Sequence, residues 1–148
     1  MPIDVVLAAA VVLVACANLG AGAYQSIVLD PVWPHRPAIV VARLGGVSRK
    51  RFWVPAHTAL EVLLVVALIA AWGDGRVRTA LLVALASHAI VRAWALLDLI
   101  PKAVAFEKQD PATVDTGIAV RWTRRSLLRL PFDAVTCVAA LVALVLAA

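Results

Sequence analysis

Charged residues and cysteines are both scarce in this sequence of 148 residues. Charged residues make up 16% of the chain, whereas about 25% is usual in soluble domains. Only Cys16 and Cys137 are present, and they form no CxxC pair, which argues against a thiol relay built on paired cysteines. Each cysteine lies in an apolar run, where a free thiol behaves as a small hydrophobic side chain.

Hydrophobic residues account for 64% of the chain, well above the usual share of about 45–50%. Four apolar segments fill the length, so the sequence predicts one all-α domain, an integral membrane four-helix bundle over residues 1–148. The first segment has no basic residues before it, so we expect a retained span rather than a cleaved signal peptide. The predicted spans are 3–29, 53–72, 79–97 and 129–148, with long connections at 30–52 and 98–128.

Basic residues are absent from both ends of the chain and are concentrated in its two long connections. The first connection holds five, the turn after the second span holds two, and the region up to Arg129 holds six. The positive-inside rule therefore predicts that both termini lie on the non-cytoplasmic side of a bacterial-type cytoplasmic membrane. This distribution also accounts for the formal net charge of +5, so we expect no nucleic-acid partner.

The first long connection contains three prolines, which predict that the first helix ends there. Trp33 and Trp53 flank this connection, and we expect both to anchor at the membrane interface. The apolar piece 38–44 is too short to span and is expected to lie at the interface or to re-enter the bundle. Pro55 is expected in the first turn of the second span, where proline is tolerated.

Ionisable residues interrupt the apolar segments at helical spacing. His88 and Arg92 lie one turn apart on the third segment, and His57 and Glu61 form a similar pair on the second. An arginine or aspartate costs about 2.5–3.5 kcal/mol at the centre of a membrane helix. We therefore expect these side chains to face the protein interior.

The predicted orientation places polar residues of all four spans at a similar depth, in the cytoplasmic half of the bundle. We interpret this convergence as a polar pocket with apolar walls for a hydrophobic ligand. The candidate catalytic residues are His57, Glu61, His88, Arg92 and Asp133. The candidate substrate-binding residues are Asn18, Tyr24, Gln25, Trp53, Trp94, Asp98, Trp122 and Arg129.

These residue types suit acid/base chemistry without a cofactor. A histidine with a pKa near neutrality can act as the base, a carboxylate can orient it, and an arginine can hold a developing oxyanion. A metal site is the alternative, because His57, Glu61 and His88 would supply two histidines and one carboxylate, a set suited to iron or zinc. Arg92, one turn from His88, would repel such a cation.

Several features at the helix ends match a known family: Gly20, Gly22, Tyr24 and Gln25 in the first helix, Asp98-Leu99-Ile100-Pro101 after the third, and Trp122, Ser126 and Arg129 in the fourth. In their order they resemble the small four-helix membrane proteins grouped as DUF1772, which include anthrone-oxygenase-like proteins of aromatic polyketide pathways. Ser126 stands where that family usually has asparagine, and the segment at Pro101 lacks asparagine. The resemblance implies oxidation or another tailoring step on a lipophilic, polycyclic or enolisable substrate, often with no cofactor.

We therefore expect a membrane-embedded enzyme that acts on a polyketide- or terpenoid-like molecule by oxidation, isomerisation or cyclisation, with that substrate and membrane lipid as its partners. One alternative is a small proton-coupled transporter or lipophilic-ligand-binding protein, in which Glu61 and Asp133 carry protons and a homo-oligomer forms the pathway. Another is a structural subunit whose buried charges simply neutralise each other, Glu61 with Arg92 and Arg129 with Asp133.

Overall fold

The computed structural model describes residues 2–148, which fold into six α-helices joined by short helical turns and loops. Two π-helical turns, Gln25–Leu29 and Ala95–Leu99, continue the first and third helices. The six α-helices are α1 (Ile3–Tyr24), α2 (Lys50–Ala70), α3 (Gly75–Trp94), α4 (Ile100–Lys108), α5 (Thr116–Leu127) and α6 (Leu130–Ala147).

Four continuous helical stretches are long and apolar enough to cross a membrane: Ile3–Leu29, Lys50–Ala70, Gly75–Lys108 and Thr116–Ala147. The expectation of an all-α chain with four membrane-length helices is therefore confirmed. The third and fourth stretches are longer than the predicted spans because α4 continues α3 and α5 leads into α6. Most of the connection expected at 98–128 is consequently helical.

The long helices surround one another in the order α2, α1, α6, α3. Helix α1 packs on α2 and α6, and α3 packs on α6, whereas the contact between α3 and α2 is the smallest of these four. Helices α2 and α3 are joined by the tight turn at 71–74. The seam between α2 and α3 is therefore the least closed side of the bundle.

One half of the bundle has an apolar core built from all four long helices. Alanines dominate the contact surfaces, and small side chains allow membrane helices to approach closely. Larger side chains of α2 and α3, such as Leu60, Leu64 and Leu81, fill the remaining space and are almost fully buried. The buried alanines of this core are Ala15, Ala67, Ala71, Ala80, Ala84, Ala139, Ala140 and Ala143.

The opposite end of the bundle has a second, aromatic core centred on Trp33. Trp33 is 0% exposed and meets Phe106 and Trp122 edge to face, with ring centres 5.1 and 5.7 Å away. Its indole N–H donates to Asp30 Oδ1 at 3.2 Å. The prediction that Trp33 anchors at the membrane interface is therefore wrong, because the proline-rich connection folds back onto α4 and α5 and buries the ring.

The apolar piece 38–44 of the first connection forms two 3₁₀ turns, Pro37–Val40 and Ala42–Leu44.

Helix α2 begins at Lys50, three residues before the predicted span, so Pro55 lies inside the helix rather than in its first turn. Proline has no N–H, and the carbonyl of Arg51 therefore lacks the usual hydrogen bond from four residues onward. This interruption falls near the connections, away from the apolar core, where the loss is least costly.

We predict that Trp33→Ala detaches the connection between α1 and α2 from the bundle. Truncating a buried tryptophan costs about 3–5 kcal/mol, and here it also leaves Asp30 without its indole partner. Trypsin should then cut faster after the exposed Arg43, as followed by mass spectrometry of the purified protein. Val32→Ala, a change at the exposed neighbouring residue, is the control. Equal cleavage rates for the two variants would contradict the role assigned to Trp33.

The start of α3 depends on Asp74, whose Oδ1 accepts hydrogen bonds from the backbone N–H of Arg76 at 2.8 Å and of Val77 at 3.2 Å. Satisfying these otherwise free N–H groups stabilises the first turn of the helix. The bonds from Val77 and Arg76 lower the pKa of the Asp74 carboxyl below its ordinary value of 3.8.

We predict that Asp74→Ala lowers the melting temperature at pH 7. Since folding favours the ionised carboxylate, its contribution is present above about pH 4 and is lost as the pH falls through the lowered pKa of the folded state. The difference in melting temperature between wild type and Asp74→Ala should therefore shrink in acid. Asp74→Asn should retain a cap without this pH dependence. A difference that stays constant down to pH 3 would contradict the assignment.

Candidate functional site

A pocket of about 330 Å³ opens at the seam between α2 and α3, on the side of the bundle that carries the long connections. Val54 and Thr58 of α2 form one wall. Opposite them is the apolar surface of the α3–α4 stretch, and polar and aromatic residues line the rest of the pocket. The opposing wall comprises Ala95, Leu96, Leu99, Ile100, Ala103 and Val104, and the polar and aromatic lining comprises Gln25, Arg49, Lys50, Trp53, His57, Arg92, Glu107, Trp122 and Arg129.

His57 lies on α2 at the inner wall of this pocket and is 5% exposed. Its ring stacks on that of Trp53, with the ring centres 5.2 Å apart. The centre of the His88 ring, on α3, lies 5.5 Å from the centre of the His57 ring. The buried Nδ1 of His57 has no hydrogen-bond partner within residues 2–148. Asn18 of α1 packs behind this region, and its amide N–H donates to the carbonyl of Ala56 at 3.5 Å.

Glu61 and Arg92 form an ion pair across the seam between α2 and α3. Arg92 Nε donates to Glu61 Oε1 at 2.5 Å, and His88 Nε2 lies 3.7 Å from the same oxygen. Arg92 lines the pocket, and its Nη1 and Nη2 make no hydrogen bond with the part of the chain that the structure describes. The ion pair therefore leaves one side of this guanidinium available to a ligand.

The floor of the pocket joins α1, α2 and the start of α6. Gln25 Oε1 accepts a hydrogen bond from Trp53 Nε1 at 2.9 Å, and the guanidinium of Arg129 lies 5.5 Å from the Trp53 ring centre. Arg129 also donates to the carbonyl of Ser126 at 3.0 Å and to its hydroxyl at 2.9 Å. These contacts fix the orientation of Trp53 and Arg129 at the floor.

Sequence reasoning missed a second group of polar residues at the mouth of the pocket. The guanidinium of Arg49 lies over the rings of both Trp33 and Trp122, 5.4 and 5.1 Å from their centres. Glu107 of α4 lies 3.5 Å from Arg49 Nη2 and 3.2 Å from Lys50 Nζ. Arg49 and Lys50 are two of the five basic residues of the first connection, and a run of basic residues does not reveal which of its members is buried.

Burial shifts the pKa values of two charged groups outside the membrane-length helices: Asp30, beside Trp33, and Arg49, at the mouth of the pocket. Desolvation raises the pKa of the Asp30 carboxyl above 3.8, although Arg49 and hydrogen bonds from Gln25 and Trp33 oppose the shift. Desolvation also lowers the pKa of the Arg49 guanidinium, which Glu107 and Asp30 partly offset. Asp30 and Arg49 thus stabilise each other's charge at the end of the bundle.

Two π-helical turns border the pocket, one from each side. Gln25 lies in the first, while Ala95, Leu96 and Leu99 lie in the second. Such turns insert an extra residue into a helix and are frequent at functional sites. Here the two turns contribute Gln25 and part of the apolar wall to the lining of the same pocket.

The remaining predicted site residues lie outside the pocket lining. Tyr24 is 65% exposed on the outer surface of α1. The indole N–H of Trp94 donates to Asp98 at 3.3 Å. Asp98 also forms ion pairs with Lys102 and with Arg125, and its carboxylate lies 2.8 Å from Arg125 Nη2. Asn18, His88 and Asp133 are buried outside the lining, and Glu61, whose side chain is 40% exposed, lies at the seam beside Arg92.

The predicted ion pair between Arg129 and Asp133 does not form among the described residues, because Arg129 turns toward Ser126 instead. The metal alternative has no support in the geometry either. Residues 2–148 contain no group of three His, Cys, Asp or Glu side chains that could hold a metal ion. Arg92 already occupies the carboxylate oxygen of Glu61 that faces His88.

Comparisons of the chain with protein-family models, with curated proteins and with solved structures found no match. The function of the chain is therefore inferred from the geometry of the pocket.

We predict that Glu61 and Arg92 stabilise the fold as a coupled pair. In a double-mutant cycle of Glu61→Gln and Arg92→Gln, each single change leaves a charge facing the seam alone, so the double variant should be more stable than the two single losses imply. The coupling energy should reach at least about 1 kcal/mol, within the range for residues in direct contact.

The control cycle uses Asp98→Asn and Lys102→Gln, an ion pair one helical turn apart on the surface. Surface pairs of this kind contribute about 0.3–0.5 kcal/mol. Reversible unfolding in mixed detergent micelles measures both cycles. A Glu61–Arg92 coupling no larger than that of the surface pair would contradict the prediction.

Proposed function

We propose that this chain is a membrane-embedded enzyme that removes a proton from a lipophilic, enolisable small molecule. The observation that supports this proposal most directly is the composition of one pocket. It combines the imidazole of His57, the guanidinium of Arg92 with free N–H groups, and an apolar wall open at the seam between α2 and α3. Proton removal is the step that oxidation, isomerisation and cyclisation of such a substrate share. The proposed enzyme needs no cofactor for this step.

His57 is the proposed general base. It lines the pocket, and no hydrogen bond to residues 2–148 engages its ring. Stacking on Trp53 fixes the plane of the imidazole, and a base fixed within reach of an acidic C–H or O–H contributes typically 10²–10⁴-fold to the rate. In the proposed step the substrate bond to hydrogen breaks, His57 takes the proton, and the electron pair remains on the substrate oxygen as an enolate.

Arg92 is the proposed oxyanion holder. Its free Nη groups line the same pocket as His57, and positioned donors in a water-poor site stabilise developing negative charge more than water does. Glu61 would position Arg92 through their ion pair, and His88 lies 3.7 Å from the same carboxylate oxygen; neither Glu61 nor His88 lines the pocket. Asp133, which is buried behind the floor, would balance the charge of Arg129 at a distance.

Three sequence features support a finer assignment within this proposal. The resemblance to DUF1772 favours a tailoring reaction on a polyketide- or terpenoid-like substrate. The concentration of basic residues in the long connections favours a cytoplasmic position for the pocket mouth and an outer position for both termini. The four apolar helices favour location in a bacterial-type cytoplasmic membrane, from which a lipophilic substrate would reach the seam directly.

The transporter alternative gains no observation in its favour. Beyond His57 and His88 the bundle is filled by the apolar core of leucines and alanines, so within the described residues the pocket is closed at its inner end. A transport path would have to lie between copies of the chain, and this alternative stays a hypothesis.

We predict that His57→Ala abolishes proton abstraction while the protein remains folded. Membranes that contain the protein are incubated in deuterated buffer with anthrone, and deuterium incorporation at its acidic methylene is followed by mass spectrometry. Wild type should accelerate exchange over empty membranes, and His57→Ala should lose about 100-fold or more of that acceleration, the loss expected of a general base.

His35→Ala is the matched control, because His35 is an exposed loop histidine remote from the pocket lining. It should exchange at the wild-type rate. Full activity of His57→Ala would contradict the proposal. So would the absence of acceleration by wild type across anthrone, a 1,3-diketone and a β-keto ester.

A further inference from the structure

The pocket is strongly cationic for a cavity between membrane-length helices. Four of its lining residues carry positive charge and one carries negative charge. Charged groups at this depth are expensive unless something neutralises them. The cations are Arg49, Lys50, Arg92 and Arg129, and the carboxylate is Glu107.

Three of these cations already have an acidic partner. Arg49 and Lys50 share Glu107, and Arg92 pairs with Glu61 across the seam. Arg129 has no carboxylate of residues 2–148 within 4.0 Å of its guanidinium, so Asp133 and Asp30 act on its charge only from farther away. Its hydrogen bonds go to the backbone and hydroxyl oxygens of Ser126, which are uncharged.

The guanidinium of Arg129 is also oriented for binding. Hydrogen bonds from Nε and Nη2 to Ser126 fix its plane, and the Trp53 ring supports it at 5.5 Å. Its Nη1 makes no hydrogen bond with the described residues and is not among their buried, unpartnered atoms, so this N–H group is open to the pocket. A planar guanidinium held in this way favours an oxyanion such as a carboxylate.

We propose that the pocket binds a small lipophilic acid, whose carboxylate pairs with Arg129 and whose apolar body lies against the wall between α2 and α3. The inference rests on the proposed function, since it names the class of substrate that the same pocket takes. The volume of about 330 Å³ is at the low end of the range of about 300–1,000 Å³ for ligand sites. It suits a small ring system or short chain rather than a lipid with two acyl chains.

The test compares an acid with a neutral compound of nearly the same shape. Purified protein in a neutral detergent is titrated at pH 7.5 with 1-naphthoate and with 1-naphthamide, and binding is followed by calorimetry. Wild type should bind the acid at least tenfold more tightly than the amide. Arg129→Gln, which keeps donors for Ser126 but removes the charge, should reduce this preference to within threefold.

Arg51→Gln is the matched control, because Arg51 is an exposed member of the same basic run and does not line the pocket. It should keep the wild-type preference. Equal affinities of wild type for acid and amide would overturn the inference, and this comparison needs no variant that might fail to fold. Displacement of bound naphthoate by dihexanoylphosphatidylglycerol at equal concentration would also overturn it, by assigning the site to a lipid headgroup.

The outcome is distinguishable from that of the proposed function, because naphthoate has no enolisable C–H and its binding does not require His57 to act as a base. Loss of deuterium exchange in His57→Ala, combined with equal binding of acid and amide, would support the proposed enzyme and overturn the acid-binding site. Tighter binding of the acid than of the amide, combined with deuterium exchange that His57→Ala does not slow, would support the acid-binding site and overturn the role of His57 as a base.

Discussion

The contact between Glu61 and Arg92 across the seam of α2 and α3 is the interaction on which the rest of this structure depends. An arginine or glutamate in a membrane-length helix is costly unless a partner meets it. Arg92 finds its partner at 2.5 Å, and that partner comes from a different helix. The pair therefore fixes how α2 and α3 face each other at the level where they begin to separate.

The separation itself follows from a division of the bundle into two kinds of core. In the half without the long connections, alanines let the helices approach closely and leave an apolar interior. In the other half, large aromatic residues replace the alanines, and Trp33, Trp122 and Phe106 hold the connections against the helix ends. The pocket lies where these two cores meet, since neither the small nor the aromatic residues fill the space between α2 and α3.

Much of this arrangement could be predicted from the sequence because it follows from helical periodicity. The spacing of His57 with Glu61 and of His88 with Arg92 placed each pair on one helix face, and the cost of charge in lipid implied that these faces meet. The contributions of Arg49, Asp30 and Glu107 could not be predicted in this way. They depend on how a proline-rich connection folds back over the bundle, which no periodic pattern encodes. Tyr24 is the opposite case, a predicted site residue that lies outside the pocket. Its position next to Gln25 in the chain does not reveal that its ring points outward. The orientation of the bundle in a membrane stays a prediction.

The central claim is that the seam between α2 and α3 opens into a ligand pocket that is closed toward the apolar half. Thiol labelling tests it most directly, with single cysteines introduced by Thr58→Cys or Val66→Cys into a chain that also carries Cys16→Ala and Cys137→Ala. Thr58 lines the pocket, whereas Val66 lies farther along α2 on its exposed apolar surface. A small charged methanethiosulfonate reagent should label position 58, and 1-naphthoate should protect it, while position 66 stays unlabelled. Equal labelling of both positions, or labelling of position 58 that the acid does not slow, would contradict the account.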